Sequence, residues 1–282
     1  MAAQVVVVGS LNYDITVWVP QRPRADETLH GSKCEENPGG KGANQAVAAA
    51  RLDATVSMIG CVGRDNRGDY LLAQLDAAGV DRTQVSRGDA PTGTAVITID
   101  PDDVSIIVIA GANAELHAKQ VERAAEEIAA ADVLLLQGEV GTEAARAAAV
   151  LAAASNTKIV FNPAPFNDVA AAVLPLADVV IVNRQEAKEM KDFSPPILVT
   201  TLGAEGCEVQ VGQEITRVTA PTVEVVDPTG AGDAFVGAFS VALVAKNDPI
   251  AAALIAVRAG AAAVGSVGAQ PSMPRWTEID DL

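Results

Sequence analysis

The stretch from residue 133 to residue 162 consists of Val133-Leu-Leu-Leu-Gln137, then an alanine-rich segment at Thr142–Ala153, then Ile159-Val-Phe-Asn162. Both apolar runs are short, and each ends in an amide side chain. The segment between them carries its charges on one face, as an amphipathic helix does. A buried strand, a helix and a second buried strand in this order are typical of a parallel sheet. We therefore predict an α/β fold.

The same alternation extends to both sides of this stretch. Further apolar runs and helical patterns occur at Val5–Val8, Gly42–Arg51, Thr55–Ile59, Asp69–Ala78, Ala118–Ala131, Val179–Asn183 and Ile197–Leu202. They predict a doubly wound, mostly parallel central sheet with helices on both faces. Ligands of such sheets bind beyond the carboxyl ends of the strands. The polar residues at those ends are Asn12, Gln137, Glu139, Asn162 and Asn183.

Two stretches interrupt the alternation and predict a small antiparallel β lid. Asp14–Val19 pairs with Glu27–Glu36, and Thr92–Asp100 pairs with Val104–Ile109 through a turn at Pro101-Asp102-Asp103. Both faces carry apolar side chains, namely Trp18, Ile97, Ile99, Ile106, Ile107, Val108 and Ile109. We expect one face to cover the active site and the other to form a homodimer. Residues 1–282 are then one domain, with a lid at about 12–36 and 92–110.

The composition disfavours several classes of partner. The chain has 282 residues, 49% of them hydrophobic, and a net charge of −16. A field of that sign repels phosphate backbones, so we expect no binding to nucleic acid or to an anionic membrane. Cys34, Cys61 and Cys207 are far apart, which disfavours disulfides and a zinc site. With no leader-like or membrane-spanning apolar segment, we expect a cytoplasmic protein.

The strongest chemical signal is Asp227-Pro-Thr-Gly-Ala-Gly-Asp-Ala-Phe235. It follows a β-rich run at Thr222–Val226 and begins a helix that we expect to extend to about Ala245. Its glycines leave the N–H groups at the helix start accessible, and the positive end of the helix dipole makes this an anion site. Asp233 is either a cap of the helix or a general base. A base beside an anion hole can deprotonate a hydroxyl while the charged transition state is stabilised.

A second signal is Pro38-Gly-Gly-Lys-Gly-Ala-Asn-Gln-Ala46. It is not a P-loop, because Gly42 follows Lys41 where a P-loop has Ser or Thr. No G-x-G-x-x-G follows the first strand, which disfavours a nicotinamide-dependent dehydrogenase. The segment is either a glycine turn before a helix or a site where a small ligand approaches the backbone. In the second case Lys41 and Asn44 supply donors for sugar hydroxyls.

Seven segments occur in order along the chain: Gly9–Asp14, Gly39–Ala46, Asn162–Pro165, Asn183–Glu186, Thr201–Gly206, Asp227–Phe235 and Gly268–Ser272. Together they resemble the ribokinase branch of the ribokinase/phosphofructokinase-B family of carbohydrate kinases. The resemblance covers essentially the whole chain. It implies a ribokinase-like fold and an ATP-dependent phosphotransferase with an alcohol acceptor, the primary (5-) hydroxyl of D-ribose.

The resemblance also implies a role for each matching residue. Asp233 would be the catalytic base, and the amides of Gly230, Ala231 and Gly232 would hold the transferred phosphoryl group. The sugar hydroxyls would be held by Asn12, Asp14, Gly40, Lys41, Asn44, Glu139 and Asp233. The nucleotide would lie against Asn183, Thr201, Gly203, Gly206 and Gly232. Without the resemblance, Asn12 and Asp14 also fit strand-end turns, and Glu139 fits a loop acid.

Two metal sites are implied in the same way. Asn183 and Glu186 would organise Mg²⁺ through its waters, which suits an ion that keeps several of them. The same pair also fits an N-cap with its capping-box acid. A monovalent cation, expected to be K⁺ acting as an activator, would be held by the side chains of Asp227 and Ser272. The backbone carbonyls near Thr229, Ala263, Ser266 and Gly268 would complete that site.

Two positions depart from the family pattern. Lys191–Pro196 is short where the family usually has another helix, so residues 184–196 have room for one helix only. Val257 stands where members often have a polar residue near adenine, so the nucleotide preference is less constrained than the reaction. The alternatives are a kinase of the same family for deoxyribose, a ketohexose or a nucleoside, and a non-catalytic sugar-binding regulator. An intact Asp233 argues against the regulator.

Overall fold

A computed structural model describes residues 2–101, 104–190 and 193–282. The strands in these residues are β1 (Gln4–Val8), β2 (Asn12–Trp18), β3 (Lys33–Gly39), β4 (Thr55–Val62), β5 (Val85–Arg87), β6 (Gly93–Ile99), β7 (Val104–Ile109), β8 (Val133–Gln137), β9 (Lys158–Asn162), β10 (Val179–Asn183), β11 (Ile197–Thr201), β12 (Cys207–Val211) and β13 (Glu214–Val218). The helices are α1 (Lys41–Arg51), α2 (Asn66–Ala77), α3 (Ala118–Arg123), α4 (Ala125–Ala130), α5 (Thr142–Ser155), α6 (Asp168–Val173), α7 (Arg184–Glu189), α8 (Ala231–Lys246), α9 (Pro249–Ala263) and α10 (Trp276–Asp280).

These strands form two sheets. The central sheet has nine strands in the order β13-β12-β11-β10-β9-β8-β1-β4-β5, and the second has four in the order β3-β2-β6-β7. In the central sheet, neighbours pair in parallel except for β11 with β12 and β12 with β13. The predicted doubly wound, mostly parallel sheet is therefore confirmed.

The strand order reverses at β1, which lies between β4 and β8. Val5 and Val7 pack into the core on one face of the sheet, while Val6 and Val8 pack into the core on the other. A strand that is buried on both faces is almost continuously apolar, which explains why the sequence predicts it. The crevice beyond the carboxyl ends of β1 and β8 is the place where such a sheet binds ligands.

The β-rich run at Thr222–Val226 is not a strand, and β5, β12 and β13 were not predicted. Among the described strands, none pairs with this run. Val226 N instead donates to Val264 O at 2.8 Å, in the loop after α9. Both Val225 and Val226 are exposed. Backbone partners, and not β-propensity alone, decide whether such a segment becomes a strand.

The predicted helices are present, but Ala118–Ala131 is divided into α3 and α4. Ala124 N between them donates to Val121 O, three residues back, at 3.0 Å. This tighter turn ends α3. None of the helices in the described ranges is long and apolar enough to cross a membrane.

The four-stranded sheet, here called the lid sheet, contains both predicted antiparallel pairs. A parallel pairing of β2 with β6 joins them. The strand predicted from Glu27 begins at Lys33, opposite Trp18. If that register continued, Pro20 and Pro23 would lie opposite the predicted residues before Lys33. Proline has no N–H to donate to a ladder, so these residues do not extend the strand. Asp102 and Asp103 of the predicted turn lie outside the described residues.

Helices α1 and α8 approach each other closely. A Cβ atom on Gly237 of α8 would lie 2.6 Å from Ala48 Cβ and 3.0 Å from Gln45 O, both in α1. Only glycine fits this contact. Gly237 lies one turn after Asp233 on the same face of α8. The close approach therefore brings the first turn of α1 against Asp233.

Gly237→Ala is expected to destabilise the protein by about 1–3 kcal/mol, because overpacking this contact outweighs the gain in helix propensity. Gly260→Ala in α9 is the matched control, since its Cβ would lie 3.4 Å from the nearest atom, Ala231 O. We expect that variant to be neutral or more stable by up to about 1 kcal/mol. Urea unfolding measures both free energies, and equal values would contradict the close packing of α1 on α8.

Candidate active site

Polar residues form a row along the carboxyl edge of the central sheet. Gln137 at the end of β8 is in register with Asn162 at the end of β9, and Asn183 at the end of β10 with Thr201 at the end of β11. Because β9 and β10 are also neighbours, the row is continuous. It leads from the crevice beside β1 and β8 to the β10–β11 end of the sheet.

Asp233 lies in the first turn of α8 and is 6% exposed. Asn44 Nδ2 donates to its Oδ2 at 2.9 Å, and Gln45 Nε2 donates to its Oδ1 at 3.0 Å. The cap of the helix is Gly230, and no side chain bonds to the first amides. Asp233 is thus an acid in the first turn of the helix but makes no capping hydrogen bond. Its carboxylate is held by α1 instead.

The backbone in front of Asp233 turns sharply into α8. Gly230 has a φ of 83°, which glycine adopts without strain. Ala231 N donates to Pro228 O at 3.3 Å, and the helical hydrogen bonds begin with Ala234 N to Gly230 O at 2.8 Å. Amides in the first turn of a helix have no acceptor inside the helix. Those of Gly232 and Asp233 are thus directed to the helix mouth, where an anion can bind.

Glu139 follows β8 and reaches the start of α1. Its Oε2 accepts hydrogen bonds from Ser10 Oγ and from Lys41 N, the latter at 3.1 Å. A carboxylate at the positive end of a helix is electrostatically favourable. Glu139 is half-buried, and these two bonds hold it beside the first turn of α1. Gly40, the cap residue of α1, precedes Lys41 directly.

Among the described residues, three buried side-chain oxygens have no hydrogen-bond partner, namely Asp14 Oδ1, Asn44 Oδ1 and Gln137 Oε1. Buried polar atoms are rarely left unpaired. The side-chain oxygen of the neighbouring Asn12 is already used, because it accepts from Asn113 Nδ2 at 2.8 Å. Asp14 Oδ1 on β2 and Asn44 Oδ1 on α1 are where the hydroxyl groups of a ligand would donate.

Four carboxylates surround the Lys41 ammonium. Burial raises the pKa of Asp14 to about 7; the charges of Glu139 and Asp233 act in the same direction, and Lys41 opposes them. Asp233 raises the pKa of Lys41 most, burial opposes that rise, and Glu139, Glu186 and Asp14 add to it. Lys41 therefore stays charged and offsets the mutual repulsion of the acids.

Asn183 and Glu186 form the predicted capping box at the start of α7. Asn183 Oδ1 accepts from Gln185 N and Glu186 N at 2.8 and 2.9 Å, and Glu186 Oε2 accepts from Asn183 N at 2.9 Å. Burial raises the pKa of Glu186, while the bond from Asn183 and the charge of Lys41 lower it. The box uses one oxygen of Glu186 and leaves Oε1 for another partner.

Three of the other residues predicted to bind the nucleotide lie at or just after the end of β11, which neighbours β10. Thr201 ends β11, and its Oγ1 donates to Val182 O at 3.3 Å. Gly203 is exposed and Gly206 buried, at the two ends of the turn between β11 and β12. Gly232 is exposed at the start of α8.

Asp227 joins two of the loops in the predicted cation site. Its Oδ1 accepts from Thr229 N at 2.9 Å, and its Oδ2 accepts from Gly268 N at 2.8 Å. The structure thus brings Asp227, Thr229 and Gly268 together, although 41 residues separate the first from the last. The anion site at Gly230 follows this contact directly.

The remaining residues of that predicted site lie on the same loop. Ala263 ends α9, Ser266 is exposed, and Ser272 is buried with its Oγ donating to Ala269 O at 2.9 Å. In the described part of the chain, no group of three or more His, Cys, Asp or Glu side chains is placed to hold a metal ion. A cation in this loop would therefore rely on carbonyl and hydroxyl oxygens beside Asp227.

The lid sheet reaches residues that are predicted to bind the sugar. A cavity of about 340 Å³ is lined by Asn12, Asn113 and Glu139 on one side. Val108 and Ala110, at the end of β7, contribute to its wall. The lid sheet therefore forms part of the surface that a ligand in the crevice would meet.

The two departures from the family pattern have simple structural counterparts. Residues 184–189 form the single helix α7, as the short segment predicts, and Lys191 and Asp192 lie outside the described residues. Val257 is buried in α9.

Sequence reasoning assigned no role to Ser10, Gln45 and Asn113. Ser10 and Gln45 lie inside the quoted segments, and the available signal was an amide among alanines at position 45, which is fully buried. Asn113 lies in a 3₁₀ turn, Gly111–Glu115, and its contact with Asn12 exists only because that turn folds against β2.

Comparison with known proteins gives a consistent result. Residues 2–276 match the model of the pfkB family carbohydrate kinases. A ribokinase of Bacillus subtilis (strain 168) is 37% identical over 289 residues, covering 99% of this chain and 98% of the relative. A deoxyribokinase of Salmonella typhi is 31% identical and covers 98% and 97%. An Arabidopsis thaliana ribokinase solved with ribose and ATP superposes with a TM-score of 0.89 at 28% identity, covering 100% and 98%.

Asp14→Asn is expected to change how stability depends on pH. The folded-state pKa of Asp14, about 7, lies above its ordinary value of 3.8. The proton that Asp14 keeps in the folded state therefore contributes fully to the free energy of unfolding below about pH 4. This contribution is lost as the pH rises through 7. The advantage of the Asn variant in Tm should grow from pH 4 to 7 and then remain constant. Asp53→Asn, which makes the same charge change in an exposed turn, is the baseline. Parallel Tm curves for wild type and Asp14→Asn would contradict this.

Proposed function

The chain belongs to the pfkB family of carbohydrate kinases, and from that premise we propose that it transfers the γ-phosphate of ATP to the 5-hydroxyl of D-ribose. The observation that carries the proposal is the pair of unpaired buried acceptors, Asp14 Oδ1 and Asn44 Oδ1, beside Asp233. A pentose carries hydroxyls on neighbouring carbons. It can therefore donate to both acceptors and still present a hydroxyl to the carboxylate.

Asp233 is the proposed general base. It would accept the proton of the 5-hydroxyl while that oxygen attacks the γ-phosphorus. The amides at the start of α8 would bind the phosphoryl oxygens as their charge is redistributed. Phosphoryl transfer depends mainly on alignment and charge neutralisation, and the first turn of α8 places both groups on one rigid element.

The choice of ribose over the alternatives rests on hydroxyl pairing. The sugar-side segments Gly9–Asp14 and Gly39–Ala46 resemble those of ribokinases, and a ribokinase is among the relatives at 37% identity. Deoxyribose lacks one hydroxyl, and a buried polar group left unpaired costs about 1–3 kcal/mol. A preference for ribose by roughly one to two orders of magnitude in kcat/KM is therefore the expected outcome.

We propose that ATP binds along the β10–β11 end of the carboxyl edge, with Mg²⁺ near Asn183 and Glu186. The Glu186 oxygen that the capping box leaves unused suits the waters around Mg²⁺, which takes few protein ligands. The bound ion would neutralise charge on the β- and γ-phosphates. Thr201, Gly203 and Gly206 are the proposed nucleotide contacts.

We propose K⁺ as an activator bound beside Asp227. The Asp227 carboxylate already fixes Thr229 N and Gly268 N. A cation shared by Asp227, Ser272 and the carbonyls near Thr229, Ala263, Ser266 and Gly268 would stiffen this contact. Because Gly230 follows directly, stiffening the loop would also fix the anion site.

We also propose that the lid sheet is a dimer interface. Its edge strand β7 exposes Ile106, Ile107 and Ile109 at 58%, 65% and 54%. A patch of large apolar side chains on an edge strand is typical of a surface that another subunit covers. The proposed compartment is the cytoplasm, where ATP is available and free thiols stay reduced.

A coupled assay of ADP release with Mg-ATP over ribose, deoxyribose, fructose and inosine tests the reaction. We expect ribose to be preferred and K⁺ to increase its turnover. Asp233→Asn should lower kcat by at least about 100-fold, the scale of a lost general base. Asp248→Asn, at the exposed cap of α9, is the matched control and should be unaffected. Tight ribose binding with no turnover by the wild type would favour the regulator.

Ile107→Lys is expected to weaken the dimer, because it places a charge in the apolar patch. Light scattering coupled to size exclusion, over a concentration series, measures the effect. The matched control is Ile215→Lys on β13, an edge strand of the central sheet where Ile215 is 62% exposed. A wild type that remains monomeric, or a dimer equally sensitive to both substitutions, would exclude the lid sheet as the interface.

A further inference from the structure

We infer that Gln45 is a positioning residue for Asp233, and that it is the last member of a hydrogen-bond chain that begins at the backbone of β10. The inference rests on the proposed function, in which Asp233 is the general base. It gives a function to three buried amide side chains that are not among the residues predicted to bind the sugar, namely Gln45, Gln137 and Asn162.

The chain of hydrogen bonds has one possible direction. The carbonyl oxygen of Ile181 can only accept, so Asn162 presents its Nδ2 there, at 2.8 Å. This turns Asn162 Oδ1 toward Gln45, whose Nε2 donates to it at 3.2 Å. The same Nε2 donates to Asp233 Oδ1 at 3.0 Å. The orientation of the β10 backbone is thereby transmitted to the carboxylate.

Gln137 fixes the other end of the Gln45 amide. Its Nε2 donates to Gln45 Oε1 at 2.7 Å. A reversed amide would point an oxygen at the Asp233 carboxylate and lose all three bonds. Gln137 packs closely against Gly9, where a Cβ atom would lie 2.1 Å from its Oε1, and this oxygen has no hydrogen-bond partner among the described residues. Gln45 and Gln137 are both fully buried, so solvent cannot replace either bond.

Asn44 and Gln45 divide the two oxygens of Asp233 between them. Asn44 holds Oδ2 and has an unpaired oxygen of its own for a ligand. Gln45 holds Oδ1, and all its polar atoms are used within the protein. Without Gln45 the carboxylate could rotate about the remaining bond. A misplacement of about 1 Å in an active site can cost about 100-fold in rate, and the loss would fall on kcat.

Gln45→Met tests the inference, since it keeps the length of the side chain and removes both polar groups. We expect kcat for ribose to fall about 10- to 100-fold, with the KM for ribose changed less than about threefold. Thr157→Val is the matched control. It removes a buried bond, from Thr157 Oγ1 to Ile128 O at 2.9 Å, at the opposite edge of the sheet, and should leave kcat unchanged.

In an Asp233→Asn background, Gln45→Met should cause no further loss of kcat, because its effect passes through the carboxylate. If Gln45→Met does not fold, Gln137→Leu removes the donor that orients Gln45, and the same separation of kcat from KM is expected. A variant that keeps more than half of the wild-type kcat, or one that changes mainly KM, would overturn the inference. That outcome is distinct from failure of the proposed function, in which the wild type itself turns over no ribose.

Discussion

The active site depends on one packing contact, the close approach of α1 to α8 at Ala48 and Gly237. Each helix begins with a turn rich in polar groups, and 189 residues separate Asn44 from Asp233 along the chain. Only small side chains at the crossing let the two first turns meet. The proposed sugar-binding donors of α1 and the proposed base of α8 are thereby placed within one hydrogen bond of each other. The distance between the backbones of α1 and α8 therefore sets how the proposed sugar-binding residues lie relative to the proposed base.

The same meeting of helix ends explains how an acidic protein can bind a polyphosphate. The net charge is −16, and Lys41 is surrounded by carboxylates that raise its pKa. Further positive potential comes from the N-termini of α1 and α8, where amide groups and helix dipoles are directed into the crevice. Glu139 takes the first amide of α1. The first amides of α8 are not capped by a side chain, so that end is the natural place for an anion.

How far the sequence predicts this arrangement differs between elements. β1 is buried on both faces and its run Val5–Val8 is unbroken, so periodicity identifies it. At the end of the sheet, β12 alternates buried and half-buried residues and β13 is mostly exposed, and Thr222–Val226 has a similar composition without a partner strand. Amino-acid composition therefore does not distinguish the segments that form edge strands from the one that does not. Asp233 and the glycines before it stand out in the sequence because they lie side by side, whereas the roles of Gln45 and Asn113 come from contacts across the fold.

The proposed role of Asp233 as a base would explain why its hydrogen-bond donors are amides. In the part of the chain that the structure describes, both of its hydrogen bonds come from neutral amides. A buried cation bonded directly to a carboxylate strongly favours the charged form and makes proton transfer to it harder. Amide donors orient the carboxylate at a smaller electrostatic cost and are themselves fixed by the strand ends. The carboxyl edge of the sheet therefore supplies orientation through Gln137 and Asn162, while Lys41 supplies charge from one turn away. A fold of parallel strands suits this division, because their carboxyl ends converge where the helices begin.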